Sequence, residues 1–291
     1  MDDPSKIGVS ILKELPVLGT PTEPRAMAVD PERRRRDLSR TMLRTVGDFD
    51  LIAAGDRILV AISGGKDSYT LLDLLECARR KAPVRFELVA VHLDQMQPGY
   101  DGTSLRAWLE GFGVEFEILR EDTYSVVLEV SERERTSYCG PCSRLRRGIL
   151  YTTAERLGCN KVALGHHRDD ALETLLLNLF WAGRLQAMPA SYRTNDGRFE
   201  VIRPLIECAE SDIAVHAAAA GYPIIPCRLC GSQDDLRRDR VARLLASLER
   251  ENPGVRQVML AALKNVRPTH LLDREVCAAW NDASERFAPR R

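Results

Sequence analysis

The chain has 291 residues, of which 44% are hydrophobic and 29% charged, and its 42 basic and 42 acidic side chains give a formal net charge of zero. That composition suits one large globular domain, or a domain with appendages, and argues against a binder of polyanions that works by overall charge. No apolar run approaches the ~20 residues of a membrane span and the first residues lack the apolar core of a signal peptide, so no membrane and a cytoplasmic location are expected.

Residues Met1 to Pro31 are proline-rich without sustained periodicity and read as a disordered extension. A helix is expected from about Glu32 to Val46. Strands and helices then alternate: strand Arg57–Ile62, helix Asp67–Arg80, strand Phe86–Leu93, helix Ser104–Phe112 and strand Glu115–Leu119. A long irregular segment carrying Cys139 follows, then helix Cys142–Leu157, strand Lys161–Leu164 and helix Asp170–Trp181. Beyond it the pattern predicts a loop from Met188 to Gly197, a short strand Phe199–Ile202 and an amphipathic helix Glu210–Ala220. An extended stretch Pro223–Cys230 and helices Leu236–Glu249 and Val255–Asn265 complete a domain expected to span residues 32–270, with 271–291 as a tail. Near-continuous apolar strands separated by helices indicate an α/β fold, a doubly wound and mainly parallel sheet with an α-helical C-terminal part.

In such sheets ligands bind beyond the carboxyl ends of the strands. Three loops at that edge carry chemistry: Ser63-Gly64-Gly65-Lys66-Asp67-Ser68, Asp94, and Gly165-His166-His167-Arg168-Asp169-Asp170. A glycine pair between strand and helix leaves backbone N–H groups uncovered at a helix N-terminus, which makes a phosphate cradle. Lys66 adds a mobile positive charge, and Ser63 and Ser68 add hydroxyls. The spacing is not that of a Walker A loop, which needs four residues between its first glycine and Gly-Lys-Ser/Thr. It resembles the PP-loop of the ATP pyrophosphatases; the bland alternative is a connection that binds nothing. Asp67 is a candidate for Mg2+, with Asp94, Asp169 and Asp170 at the same rim. Asp169 and Asp170 fit equally well as N-cap residues of the helix they precede. His166 and His167 are candidates for nucleotide contact or for a packed connection.

Two pairs, Cys139-Gly140-Pro141-Cys142 and Cys227-Arg228-Leu229-Cys230, have metal-ligand spacing but lie 84 residues apart, too far for a single zinc ribbon. A structural zinc, a thioredoxin-like redox pair and an iron–sulfur cluster all remain open, and spacing alone leans to zinc. Cys77, Cys159, Cys208 and Cys277 read as small buried hydrophobes. Arg144, Arg146 and Arg147 follow the first pair, and Arg33 to Arg36 form a second cluster; either is a solvated face or a phosphate track.

Taken with Leu93-Asp94-Gln95, Ser143-Arg144-Leu145-Arg146-Arg147-Gly148-Ile149-Leu150, Pro223-Ile224-Ile225-Pro226-Cys227 and Cys230-Gly231-Ser232-Gln233, these motifs resemble the tRNA 2-thiocytidine synthetase family, in its order, from about Glu32 to His270. The resemblance implies an adenine nucleotide alpha hydrolase-like fold and ATP-dependent thiolation of cytidine-32 in the tRNA anticodon loop. It implies ATP, Mg2+ and a [4Fe-4S] cluster, a cysteine desulfurase as sulfur donor, and a homodimer. Carried onto this chain, Lys66 and Asp67 are catalytic, and Ser63, Gly64, Gly65, Ser68, Asp94, Gly165, His166 and Asp170 join them in holding the nucleotide. Cys139 and Cys142 match two cluster ligands. Cys230, with Arg238 downstream, fits the third better than Cys227, and Arg144, Arg146 and Arg147 face tRNA.

Overall fold

In the computed structural model, which describes residues 30–134, 138–225 and 236–287, the chain is organised by a six-stranded sheet. β1 (Arg57–Ile62) lies between β2 (Glu87–Asp94) and β4 (Lys161–Ala163). β3 (Glu115–Arg120) borders β2, while β6 (Glu200–Ile202) and then β5 (Ser191–Arg193) continue beyond β4. All pairings are parallel except that of the edge strand β5 with β6. The order β3-β2-β1-β4-β6-β5 reverses direction at β1, the general location of ligand sites in such sheets being beyond the carboxyl ends of the strands at this point.

The two-residue period of β1 supplies both faces of the core. Ile58, Val60 and Ile62 pack with Leu71, Leu72 and Leu75 of α2 (Lys66–Lys81) and with Leu105 and Leu109 of α3 (Thr103–Phe112). Leu59 points the other way, joining Val89, Val91 and Val162 under Leu150 and Ala154 of α5 (Cys139–Arg156). Each such fully buried aliphatic side chain contributes about 1.5–3 kcal/mol. α1 (Pro31–Asp48) and α7 (Glu210–Ala220) bury Leu38, Met42 and Ile213 against the first face. α6 (Arg168–Leu177) and α8 (Leu236–Glu251) share Leu172, Leu176, Val241 and Leu245, and α9 (Val255–Leu263) packs Met259 and Leu263 beside them.

The expected fold class and strand order along the chain are therefore found, with local differences. The segment after β3 is not irregular: it forms α4 (Thr123–Glu134), and Cys139 opens α5. Pro141 is tolerated there because it sits in the first turn, where its missing N–H has no intrahelical partner to lose. The helix after β4 begins at Arg168, two residues early, and beyond Leu177 it widens into a π-helical turn, Asn178–Ala182. β5 lies within the expected loop Met188–Gly197. The tail contains α10 (Arg274–Phe287). The expected extension lies outside the described residues except for Asp30 and Pro31, and the extended stretch Pro223–Cys230 is described only to Ile225. Among the described residues, no helix is long and apolar enough to cross a membrane.

Candidate active site

β1 ends at Ile62 and α2 begins at Lys66, so the turn between them is only Ser63-Gly64-Gly65. Gly64 adopts a left-handed conformation (φ +84°), and a Cβ there would lie 3.2 Å from Ile225 Cβ, so glycine is required twice over. Gly65 caps α2 without any side-chain hydrogen bond; the N–H groups of Ser68 and Tyr69 donate to Gly65 O, and those of Lys66 and Asp67 at the very start of the helix suit an anion. The serines brace this turn. Ser63 N–H donates to Ser68 Oγ (3.1 Å), Ser68 Oγ donates to Gly65 O (2.8 Å), and Gly65 N–H donates to Ser63 Oγ (3.3 Å). Ile225 N–H closes the loop from outside by donating to Gly64 O at 2.9 Å.

Lys66 Nζ is held between Asp67 Oδ1 (3.2 Å) and Glu210 Oε1 (2.9 Å). Burial pushes the Asp67 carboxyl above its ordinary value despite Lys66. Gly165 permits β4 to approach this helix start: a Cβ there would lie 3.1 Å from the Asp67 carbonyl carbon and oxygen. His167, not Asp169 or Asp170, is the N-cap of α6, and with Asp170 it forms a reciprocal capping box. Asp170 Oδ2 accepts from His167 N–H at 3.1 Å, so Asp170 serves the cap from the third helical position and not as the N-cap expected of it. Asp169 is buried and ties three helices together, accepting from Glu210 N–H (2.8 Å), Arg168 and Arg256. Burial pushes the His166 imidazole down to about 4, with the Arg203 guanidinium adding to the effect. Arg203 Nε donates to His166 Nδ1 at 3.3 Å, which places the imidazole hydrogen on Nε2.

A cavity of about 440 Å³ opens at the mouth of β1 and β2, where Ser63, Gly65, Lys66 and Asp67 face Gln95, Tyr100 and Arg146. His92 also lines it; its Nδ1–H donates to Ile62 O (2.8 Å) while Nε2 accepts from Tyr100 OH (2.5 Å), a neutral tautomer consistent with burial lowering its pKa. Asp94 does not line the cavity. Its Oδ1 accepts from Met96 N–H (2.8 Å) and so holds the turn that carries Gln95. Gly165, His166 and Asp170 also lie outside this lining. Arg144 and Arg147 stay on the exposed face of α5, and Arg144 pairs with Glu134 at 3.8 Å. Of the earlier arginine cluster, Arg34 pairs with Asp212 and Arg35 with Asp73, both within the chain.

Cys142 lies one turn into α5, and its Sγ is 3.3 Å from Gln95 Oε1. Gln95 therefore reaches the phosphate cavity and the first cysteine pair at once. Gln95 has no role assigned from the sequence, and Glu210, His92 and Tyr100 carry no local signal; each enters the site through tertiary packing. Cys227 and Cys230 lie outside the described residues, two and five positions past Ile225. Among the described residues, no group of three His, Cys, Asp or Glu side chains is arranged to hold a metal ion. Cys159 and Cys208 are buried, and burial pushes the Cys208 thiol up to about 12.

The PP-loop domain family matches residues 35–223. A tRNA-cytidine(32) 2-sulfurtransferase from Sorangium cellulosum is 57% identical over 239 residues, covering 82% of this chain and 84% of the relative. One from Azotobacter vinelandii is 48% identical over 250 residues, 86% of this chain and 91% of that protein. The solved structure of the U34-tRNA thiolase NcsA from Methanococcus maripaludis with its [4Fe-4S] cluster shares the fold, with a TM-score of 0.64 at 20% identity over 83% of this chain and 84% of that one. With a braced PP-loop at the end of β1 and relatives matched over most of their length, the chain belongs to the tRNA-cytidine(32) 2-sulfurtransferase family and is a sulfurtransferase of the PP-loop class.

Proposed function

We propose that this chain replaces the 2-oxo group of cytidine-32 in the tRNA anticodon loop with sulfur, after activating that oxygen with ATP. The observation that carries the reading is the double reach of Gln95: it lines the PP-loop cavity and meets Cys142 Sγ at 3.3 Å. Activation and sulfur chemistry need adjacent sites, and this side chain spans them.

The 2-oxo group is a poor leaving group. Its attack on the α-phosphorus of ATP expels pyrophosphate and leaves an AMP ester; a sulfur nucleophile at C2 then expels AMP. The uncapped start of α2 and Lys66 hold the β- and γ-phosphates, and Lys66 offsets the charge that develops on pyrophosphate. Asp67, in the first turn of α2 and lining the cavity, fits a Mg2+ site, because that cation takes one or two carboxylates plus phosphate oxygens. Asp170 caps α6, and His166 presents its Nε2–H as a neutral donor near the same rim. Arg146, within the cavity, is the arginine of its cluster best placed for nucleotide or RNA phosphate, while Arg144 and Arg147 extend a phosphate-binding face.

Cys139 and Cys142, one helical turn apart, fit two thiolate ligands of a [4Fe-4S] cluster, with Cys230 as the third and Cys227 as the alternative. When bound, a cluster with three protein ligands supplies an iron site able to carry sulfide. The same reading takes a cysteine desulfurase as sulfur donor and a homodimer working in the cytoplasm.

Mass spectrometry of tRNA nucleosides from cells lacking the gene tests the function: 2-thiocytidine should vanish and return on complementation. Persistence of 2-thiocytidine would sink it. Anaerobic purification tests the centre, since about four irons per chain are expected and a colourless zinc protein would remove the cluster.

A further inference from the structure

Past Leu177 the α6 backbone opens into the π-helical turn Asn178–Ala182, a form that recurs at functional sites. Gly183, left-handed at φ +60°, ends it by donating its N–H to Asn178 O. The turn pushes apolar side chains out of the fold: Leu179, Phe180, Trp181 and Leu185 are 47%, 52%, 42% and 64% exposed. Phe180 and Trp181 meet edge to face, with centroids 5.7 Å apart. The Arg237 guanidinium, from the first turn of α8, lies 5.9 Å from the Trp181 ring centroid. Arg184 and Arg240 are also exposed nearby in sequence to these two, and Asp239 is the one acidic residue in the first turn of α8.

An exposed indole beside guanidinium groups has two partners in principle. In a two-fold contact between copies, each patch would meet itself and set its arginines against their own equivalents, which is unfavourable. An unpaired nucleotide instead offers a π-face for the rings and a phosphate for the arginines. The ten residues of α6 place this turn about 15 Å along the helix from the His167 cap, the span of about four or five stacked nucleotides. We propose that Phe180 and Trp181, with Arg184 and Arg237, form a base-stacking platform for unpaired nucleotides of the RNA substrate. The inference rests on the tRNA reading above and names the surface that would hold the loop while one cytidine is processed.

Binding of an anticodon stem–loop RNA to the full chain, compared with a duplex of the same stem lacking unpaired bases, tests it. Trp181→Leu should weaken hairpin binding about tenfold, the effect of losing one base stack. It should leave duplex binding unchanged, and Trp181→Tyr should restore hairpin affinity. Arg237→Gln should lower the slope of log affinity against log salt by about 0.7, a second readout should the Trp181 variant fold poorly. Wild-type hairpin affinity in Trp181→Leu overturns the platform and leaves the tRNA reading standing. Conversion of a dimer to a monomer at unchanged hairpin affinity assigns the patch to self-association. Absence of hairpin binding by the unaltered protein overturns the platform and counts against the tRNA reading itself.

Discussion

Lys66 Nζ and Glu210 Oε1 lie 2.9 Å apart, joining the first residue of α2 to the first residue of α7 across 144 positions of sequence. Burial alone would lower the lysine pKa, but Glu210 and Asp67 outweigh it and the ammonium is held above its ordinary value. Before any phosphate arrives, the charge that should grip it is already neutralised.

A triphosphate must take Lys66 from Glu210. Glu210→Gln should therefore lower the KM for ATP by about 1.5- to 5-fold, the worth of a partly exposed ion pair. Lys66→Ala should cut turnover by about 100-fold or more while leaving metal content intact. Steady-state kinetics with ATP varied measures both. A higher KM in Glu210→Gln would show that the carboxylate helps binding instead of competing with it.

Gly165→Ala should destabilise the protein by about 1–3 kcal/mol and weaken ATP binding. The added Cβ would stand 3.1–3.2 Å from backbone atoms of Asp67 and Ser68, which cannot swing aside as a side-chain end would. The start of α2 must shift instead. Urea titration and ATP calorimetry check the two effects, and a variant with wild-type values in both would show that the crevice has slack.

The pH dependence of stability carries a signature of His166. Its folded pKa is depressed to about 4 from an ordinary 6.5, so between these values the unfolded chain holds more protons than the folded one. Stability from this residue is present above pH 6.5 and lost as pH falls towards 4. His166→Gln keeps an acceptor for Arg203 and should flatten the rise in urea midpoint from pH 4.5 to pH 7, in the window bounded by these pKa values. An unaltered slope would mean that His166 ionises without cost in the fold.

The central strands were legible because both faces are buried, so β1 and β2 read as apolar runs. The PP-loop was legible because its chemistry is contiguous. α4 was not: its buried positions Thr123, Val127 and Ser131 keep helical spacing, but two of the three are polar and mask the stripe. The helix expected from Cys142 starts at Cys139 instead, because a proline in a first turn does not stop a helix from beginning before it. β5 pairs only three residues, too few for an alternation to register. Glu210 and Gln95 had no signal of their own, since their importance lies in meeting Lys66 and Cys142, and nothing local to either residue encodes that meeting.

The hydrogen bond from Ile225 to Gly64 also sets an order of assembly during synthesis. The glycine turn is made early, yet the residue that braces its far side comes 161 positions later, roughly 8–32 s at about 5–20 residues per second. Glu210, at the start of α7, comes only 15 positions before that residue. A nascent chain thus carries the phosphate-binding hexapeptide without its finished cradle, and nucleotide binding becomes a property of the completed domain, not a template on which it folds.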